Sequence, residues 1–194
     1  MSYVRTIFQT VYIIMYENHL FDKVKPSERL VYELVDETNV IKLLKIFKED
    51  DNPYVTEDYK DLKKLKKYYK EMQEMRMRKS KHAGHDWLIR LKDSDTYIGV
   101  ISIYELSTEQ IGDLDRKCSL GFAIGNNYQR NYYATEAVQN IFDFVKNDLG
   151  RSLLLAYIQD GNLPSKLLLQ KLGFEDVTEE YMGGPDVRFY HLEI

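Results

Sequence analysis

Leu120-Gly121-Phe122-Ala123-Ile124, then Gly125-Asn126-Asn127, then Tyr128-Gln129-Arg130-Asn131-Tyr132-Tyr133-Ala134-Thr135-Glu136-Ala137: this run decides how the chain reads. Its first part is a strand. Its last part opens a helix predicted from about Tyr132 to Asp148, with Ala137, Ile141, Phe144 and Val145 on one face and Gly150 ending it. A strand that delivers the chain through a short turn into a helix start presents unpaired N–H groups and a partial positive charge, a natural cradle for phosphate. Gln129, Arg130 and Thr135 add side-chain donors there. On physics alone two readings stay open, an anion site and an ordinary capped helix.

Outward from this run, Leu153 to Ile158 is a nearly continuous apolar stretch, which suits a strand buried on both faces. Pro164 starts a helix that stops at Gly173, and Val187 to Leu192 reads as a last strand. Upstream, Arg29 to Leu34 alternates as a strand, and a helix is expected from about Glu37 to Phe47, closed by Asp50-Asp51-Asn52-Pro53. Thr56 is a good N-cap for the next helix, with Glu57 and Asp58 in its first turn. Along that helix Tyr59, Leu62, Leu65, Tyr69, Met72 and Met75 form one apolar stripe, better read as core contact than as a ligand box. Asp86 to Leu91 and Tyr97 to Tyr104 are paired as a hairpin by the turn Lys92-Asp93-Ser94-Asp95, and the loop Ser107 to Lys117 leads to the strand Cys118 to Ile124. Residues 1–26 read as an N-terminal extension, with a strand from Thr6 to Met15 ended by Pro26, and 27–194 as a single domain. Antiparallel strands followed by strand–helix–strand–helix–strand make an α/β (α+β) sandwich around one mixed, mostly antiparallel sheet flanked by helices.

The composition sets bounds. With 44% hydrophobic and 30% charged residues the chain is an ordinary globular one, and 194 residues suffice for a real core. The lone Cys118 excludes an internal disulfide and a cysteine-rich metal site, which suits a reducing, cytoplasmic setting. A net charge of −4 gives no global attraction for nucleic acid. The local exception, ten Lys/Arg against three acids from Lys60 to Lys81, reads as the solvated face of a helix rather than a docking surface. The apolar run Val11 to Tyr16 is far shorter than the ~20 residues of a membrane span. His82 and His85 lack metal-ligand companions and read as surface or turn residues, so no metal is expected.

The run 129–134 resembles the coenzyme A signature of the GNAT acetyltransferase superfamily, Gln/Arg-x-x-Gly-x-Gly/Ala, with Gln129 first and Ala134 last. Thr135-Glu136-Ala137 is what its Rim-type branch, the ribosomal-protein N-acetyltransferases and relatives, often shows. Three more segments match in order: Ser27-Glu28-Arg29-Leu30; Asp160-Gly161-Asn162-Leu163-Pro164-Ser165 with Lys171-Leu172-Gly173-Phe174; and Asp186 to Leu192. The resemblance covers about 27 to 192. The middle glycine of the signature is Tyr132 here. Tyrosine offers neither close backbone approach nor tolerance of unusual dihedrals. The pyrophosphate then sits further out, or coenzyme binding is weakened; the retained Gln129, Ala134, Thr135, Asn162 and Ser165 favour binding.

What the resemblance implies is direct acetyl transfer from acetyl-CoA to a primary amine, a protein N-terminus or a small molecule; a homodimer is compatible with it. A GNAT-fold binding or regulatory module without turnover is the alternative, suggested by Tyr132 and Leu169. The coenzyme would lie in a V-shaped opening between two parallel strands, Leu120 to Ile124 and Leu153 to Ile158, with Gln129, Arg130, Asn131, Tyr132, Tyr133, Ala134 and Thr135 at its phosphates. Backbone N–H groups at Phe122, Ala123 and Ile124 would hold the pantetheine arm and polarise the thioester carbonyl, and Asn162 would bond the same arm. Many relatives carry a tyrosine as general acid where Leu169 stands, which leaves Ser165 as the candidate acid or a helix cap. For the base, Glu105 is the first choice, against a solvated strand-end carboxylate; Tyr104, Asp186 and His191 are the fallbacks.

Overall fold

The structure, a computed structural model, describes residues 24–78, 84–104, 117–180 and 185–194. The expected strand at Thr6 to Met15, His82, Glu105 and most of the loop Ser107 to Lys117 lie outside the described residues.

Among the described residues the strands are β1 (Leu30–Leu34), β2 (His85–Leu91), β3 (Tyr97–Tyr104), β4 (Lys117–Ile124), β5 (Leu153–Gln159), β6 (Glu175–Asp176) and β7 (Val187–Glu193). They form one sheet in the order β1-β2-β3-β4-β5-β7-β6. Every neighbouring pair is antiparallel except β4 and β5. That one parallel pair is registered only over Lys117↔Leu153, Cys118↔Leu154 and Ser119↔Leu155. Beyond it β4 stays on β3 as far as Ile124, and β5 stays on β7 as far as Gln159. Each strand follows its own antiparallel partner, and the two part. This is the V-shaped opening, beginning just past Ser119 and Leu155.

The helices are α1 (Ile41–Phe47), α2 (Leu62–Met77), α3 (Tyr133–Asp143, continued by a π turn over Phe144–Asp148) and α4 (Leu163–Lys171). α1 and α2 cover one face of the sheet, where Leu43, Phe47, Leu65 and Tyr69 pack on Val35, Leu88 and Val100. α3 and α4 cover the other, where Ala137, Val138, Ile141 and Leu169 pack on Trp87, Ile101, Ile103 and Leu154. Trp87 meets Phe144 edge-on with ring centroids 5.6 Å apart, a favoured aromatic arrangement.

Local polar groups move several boundaries. α1 starts at Ile41 rather than Glu37, because the Asp36 carboxylate accepts the N–H groups of Thr38 (2.7 Å) and Asn39 (3.1 Å) and holds a turn in their place. Thr56 caps only the short 3₁₀ turn Glu57–Lys60; α2 is capped by Asp61, which accepts from the N–H groups of Lys63 and Lys64. β5 is buried on both faces only through Leu154, Leu155 and Ala156, and Tyr157 beyond them is 57% exposed because its neighbour β4 has departed. His85, expected at the surface, is instead the first residue of β2 and buried against Trp87. Burial, with Arg76 close by, pushes its imidazole down to about 2, so it stays neutral. The two-residue strand β6, absent from the pattern reading, is too short to carry one.

Candidate active site

β4 delivers the chain to the opening and α3 starts beside it. The register gives the direction of each backbone group on β4. Gly125 donates to the Ile98 carbonyl at 2.9 Å. Pairs Ile98/Gly125, Val100/Ala123 and Ser102/Gly121 are therefore the hydrogen-bonded ones. Ala123 turns its N–H and C=O to β3, whereas Phe122 and Ile124 turn theirs toward the opening. The sequence could not separate these three adjacent residues; pairing parity does.

The loop between β4 and α3 is braced from within. Gln129 Nε2 donates to the Ile124 carbonyl at 2.9 Å and to Asn126 Oδ1 at 3.0 Å. Asn131 Nδ2 donates to the carbonyls of Gln129 (2.9 Å) and Tyr128 (3.2 Å). Gln129, expected as a side-chain donor to the ligand, and Asn131, expected among the residues at the phosphates, both brace the loop with their side-chain amides. The backbone is left to face a ligand: Tyr132 makes no side-chain bond to the first turn of α3. The N–H groups of Tyr133, Ala134 and Thr135 have no acceptor within the helix, and they sit at the positive end of its dipole.

Tyr132 corrects the expectation about the missing glycine. Its φ of 63° and ψ of 11° are left-handed, and Arg130 shares that region at φ 61°. The backbone takes the conformation glycine would take, at a cost of about 1 kcal/mol per residue. The ring is 69% exposed, with the Lys171 ammonium 4.7 Å from its centroid. Tyr132→Gly is therefore expected to raise stability by about 0.5 kcal/mol, the relieved strain exceeding the lost cation–π contact. Acetyl-CoA affinity measured by calorimetry should be equal or tighter; a tenfold loss would make the ring itself part of the ligand surface.

Glu136, in the first turn of α3, locks that helix to the segment before β1. It accepts from the Ser27 hydroxyl, the Arg29 N–H and Arg29 Nε, each at 2.7 Å. Arg29 also donates to the Asn131 carbonyl at 3.2 Å and lies over the Tyr133 ring at 4.6 Å. Burial pushes the Glu136 carboxyl up, but the bonds from Arg29 and Ser27 outweigh it and hold the group below its ordinary value.

Across the opening, Asn162 caps α4 by accepting the Ser165 N–H at 3.3 Å. The cap role considered for Ser165 thus belongs to Asn162, whose amide nitrogen stays available as a donor. Ser165 is half-buried in the first turn of α4. Leu169, one turn on, is wholly buried in the core. Of the fallback bases, His191 lies 3.6 Å from Glu175 on the edge strand β6, Asp186 is an exposed turn residue, and Tyr104 closes β3 near the opening. Among the described residues no group of three or more His, Cys, Asp or Glu side chains gathers as a metal site would, and no helix is long and apolar enough to cross a membrane.

A parallel strand pair that splits beside an uncapped helix start, with helices on both faces of a seven-stranded mixed sheet, is the arrangement of an acetyltransferase fold. The family model "Acetyltransferase (GNAT) domain" matches residues 29–175, and the chain belongs to that family of acyltransferases. The uncharacterized N-acetyltransferase YoaA of Bacillus subtilis (strain 168) is 30% identical over 101 residues, 51% of this chain and 54% of YoaA. The chain spans about half the length of the curated relatives it matches. Among solved structures, a ribosomal-protein-S5-alanine acetyltransferase from Vibrio fischeri superposes with a TM-score of 0.65 at 15% identity, covering 86% of this chain and 93% of that one. A chimera of the spermidine N-acetyltransferase SpeG from Vibrio cholerae and hSSAT superposes with a TM-score of 0.66 at 12% identity, covering 84% and 95%. At such identities these likenesses speak for the fold.

Proposed function

We propose that residues 27–194 form an N-acetyltransferase domain that moves acetyl from acetyl-CoA to a primary amine by direct attack. The observation that carries this reading is the split between β4 and β5 beside the open N-terminus of α3. The coenzyme's pyrophosphate would accept from the N–H groups of residues 130–135, and its pantetheine arm would run along β4 with Asn162 as a donor opposite. The Phe122 and Ile124 N–H groups, turned toward the opening, would meet the thioester there and stabilise charge developing on its carbonyl oxygen. Ser165 is the group we assign to protonate the departing thiolate, Leu169 having no hydroxyl to give. Glu105, directly after β3 in the sequence, is one candidate for the base. The acceptor is a protein N-terminus or a small-molecule amine, the two kinds of amine chemistry named for the ribosomal-protein and spermidine enzymes above.

Calorimetry with acetyl-CoA, followed by a thiol-release screen against an amine library, tests this. Saturable binding and release of coenzyme with at least one primary amine are expected; no heat at millimolar acetyl-CoA would sink the reading. Ser165→Ala should then lower kcat roughly a hundredfold, the range of a lost general acid, with the acetyl-CoA Kd nearly unchanged. A loss confined to about 1 kcal/mol of stability would return the residue to a structural role.

A further inference from the structure

Asp86 is a buried carboxylate that the reading above does not use. It is 1% exposed, and its Oδ1 accepts no hydrogen bond among the described residues. Burying a charge with an unmade bond is costly, and such groups need a reason. Its place in the sheet supplies one. Asp86 lies opposite Ser102 on β3, and Ser102 lies opposite Gly121 on β4. Residues paired across neighbouring strands share a face, so these three make one row running from β2 to the edge of the opening. Gly121 is two residues past Ser119, where the pairing with β5 ends, and the same row continues on the far side at the exposed Tyr157.

Tyr104, two residues along β3 from Ser102, lies on the same face with its ring against Gly121. A Cβ at Gly121 would stand 3.0 Å from that ring and 3.3 Å from the hydroxyl oxygen. The absent side chain is what lets a phenol reach the opening. Around the carboxyl stand the hydroxyls of Ser102, Tyr69 and Tyr104 and the guanidinium of Arg76; Tyr59 and Tyr68 also feel its charge, and His85 precedes it on β2, held neutral. Burial raises the Asp86 carboxyl above its ordinary value, against the pull of Ser102, Tyr69, Arg76 and Tyr104. A carboxyl so placed gains a proton more readily than a solvated one.

We propose that Asp86 is the proton acceptor of this site, reached from the acceptor amine through the Tyr104 hydroxyl. This rests on the acetyl-transfer reading above. The substrate ammonium gives one proton to the Tyr104 oxygen as the Tyr104 O–H proton passes to Asp86. The neutral nitrogen then bonds to the acetyl carbonyl carbon and the C–S bond breaks. Ser165 gives its hydroxyl proton to the sulfur and takes a second proton from the nitrogen, the third stays on the amide, and the Asp86 proton returns to water after product leaves. Asp86 acts through Tyr104 and is a positioning residue, while Tyr104 is the group that meets the amine.

The test uses the full chain with acetyl-CoA and the best primary amine from the thiol-release screen. Asp86→Asn is expected to lower kcat/KM at least a hundredfold near neutral pH and to flatten the acid limb of the pH–rate profile, with the acetyl-CoA Kd within twofold of wild type. Tyr104→Phe should lose rate similarly. An equal loss at every pH, or an acid limb flattened by Glu105→Gln and not by Asp86→Asn, overturns the relay. A second measurement needs no turnover. The ¹³Cγ resonance of Asp86, assigned by its disappearance in Asp86→Asn, is titrated by NMR in wild type and in Tyr104→Phe. Removing the hydroxyl should raise the midpoint; an unchanged midpoint overturns the proposal. Failure of the wild type to bind acetyl-CoA would fell the acetyl-transfer reading, and the relay with it.

Discussion

Gly99→Ala is expected to lower the unfolding free energy by about 3 kcal/mol, the upper part of the overpacking range, and to weaken acetyl-CoA binding at least tenfold. Gly99 lies opposite Ile124 across the β3–β4 ladder. A Cβ there would stand 2.3 Å from the Ala123 carbonyl oxygen and 2.7 Å from Ile124 Cδ1. The first contact is with backbone, so a rotamer change cannot relieve it; the end of β4 must move. That end carries the Ile124 carbonyl, which anchors Gln129, and the Ile124 N–H that faces the opening. Stability and ligand binding should therefore fall together. Urea unfolding with and without acetyl-CoA measures both, and a loss below about 1 kcal/mol with normal affinity would mean that β4 can relax without disturbing the site.

Glu136→Gln is expected to cost about 1–2 kcal/mol, the low end for bonds to a charged group, because Arg29 is 43% exposed and screened. Its effect on binding should be larger than its effect on stability. Without Glu136, Arg29 loses the partner that fixes it over Tyr133 and against the Asn131 carbonyl, so the loop before α3 loosens where the pyrophosphate would sit. The Glu136 carboxyl is held low in the folded state. Its contribution is thus complete above the ordinary carboxylate range and disappears as pH falls through the depressed folded value. The wild type should lose more stability than Glu136→Gln between about pH 5 and pH 3, around the ordinary glutamate value. Parallel pH–stability curves for the two proteins would show that the ion cluster is idle.

Several elements are legible in the sequence. The face Ala137, Ile141, Phe144 and Val145 is the buried face of α3, and β3 runs from Tyr97 to Tyr104, the bounds of its strand-like run in the sequence. In α3 apolar periodicity and burial are the same fact, since a helix with one wet face must repeat its core residues at its own period; β3 is buried on both faces from Ile98 to Ile103 and is legible as a continuous run. Positions governed by polar side chains were less legible. Whether Thr56 or Asp61 caps α2, or whether Asp36 delays α1, depends on which oxygen reaches which N–H, a matter of tenths of an ångström. His85 looked like a surface residue because its burial comes from Trp87 and α2, and its own neighbours in sequence give no sign of it. Asp86 is illegible for a related reason: one carboxylate at a strand start carries no signal until the sheet sets it in line with Ser102 and Gly121.

The sequence by itself determined the element order, the two faces of the sandwich and the position of the helix start with its signature residues, because each rests on local propensity and period. Only the tertiary structure decided where the parallel pair splits. That point depends on β4 following β3 and β5 following β7, a competition between ladders more than thirty residues apart in the chain. It also decided that Tyr132 holds a glycine's backbone and sends its ring to Lys171, because a left-handed residue persists only where the surrounding structure compels it.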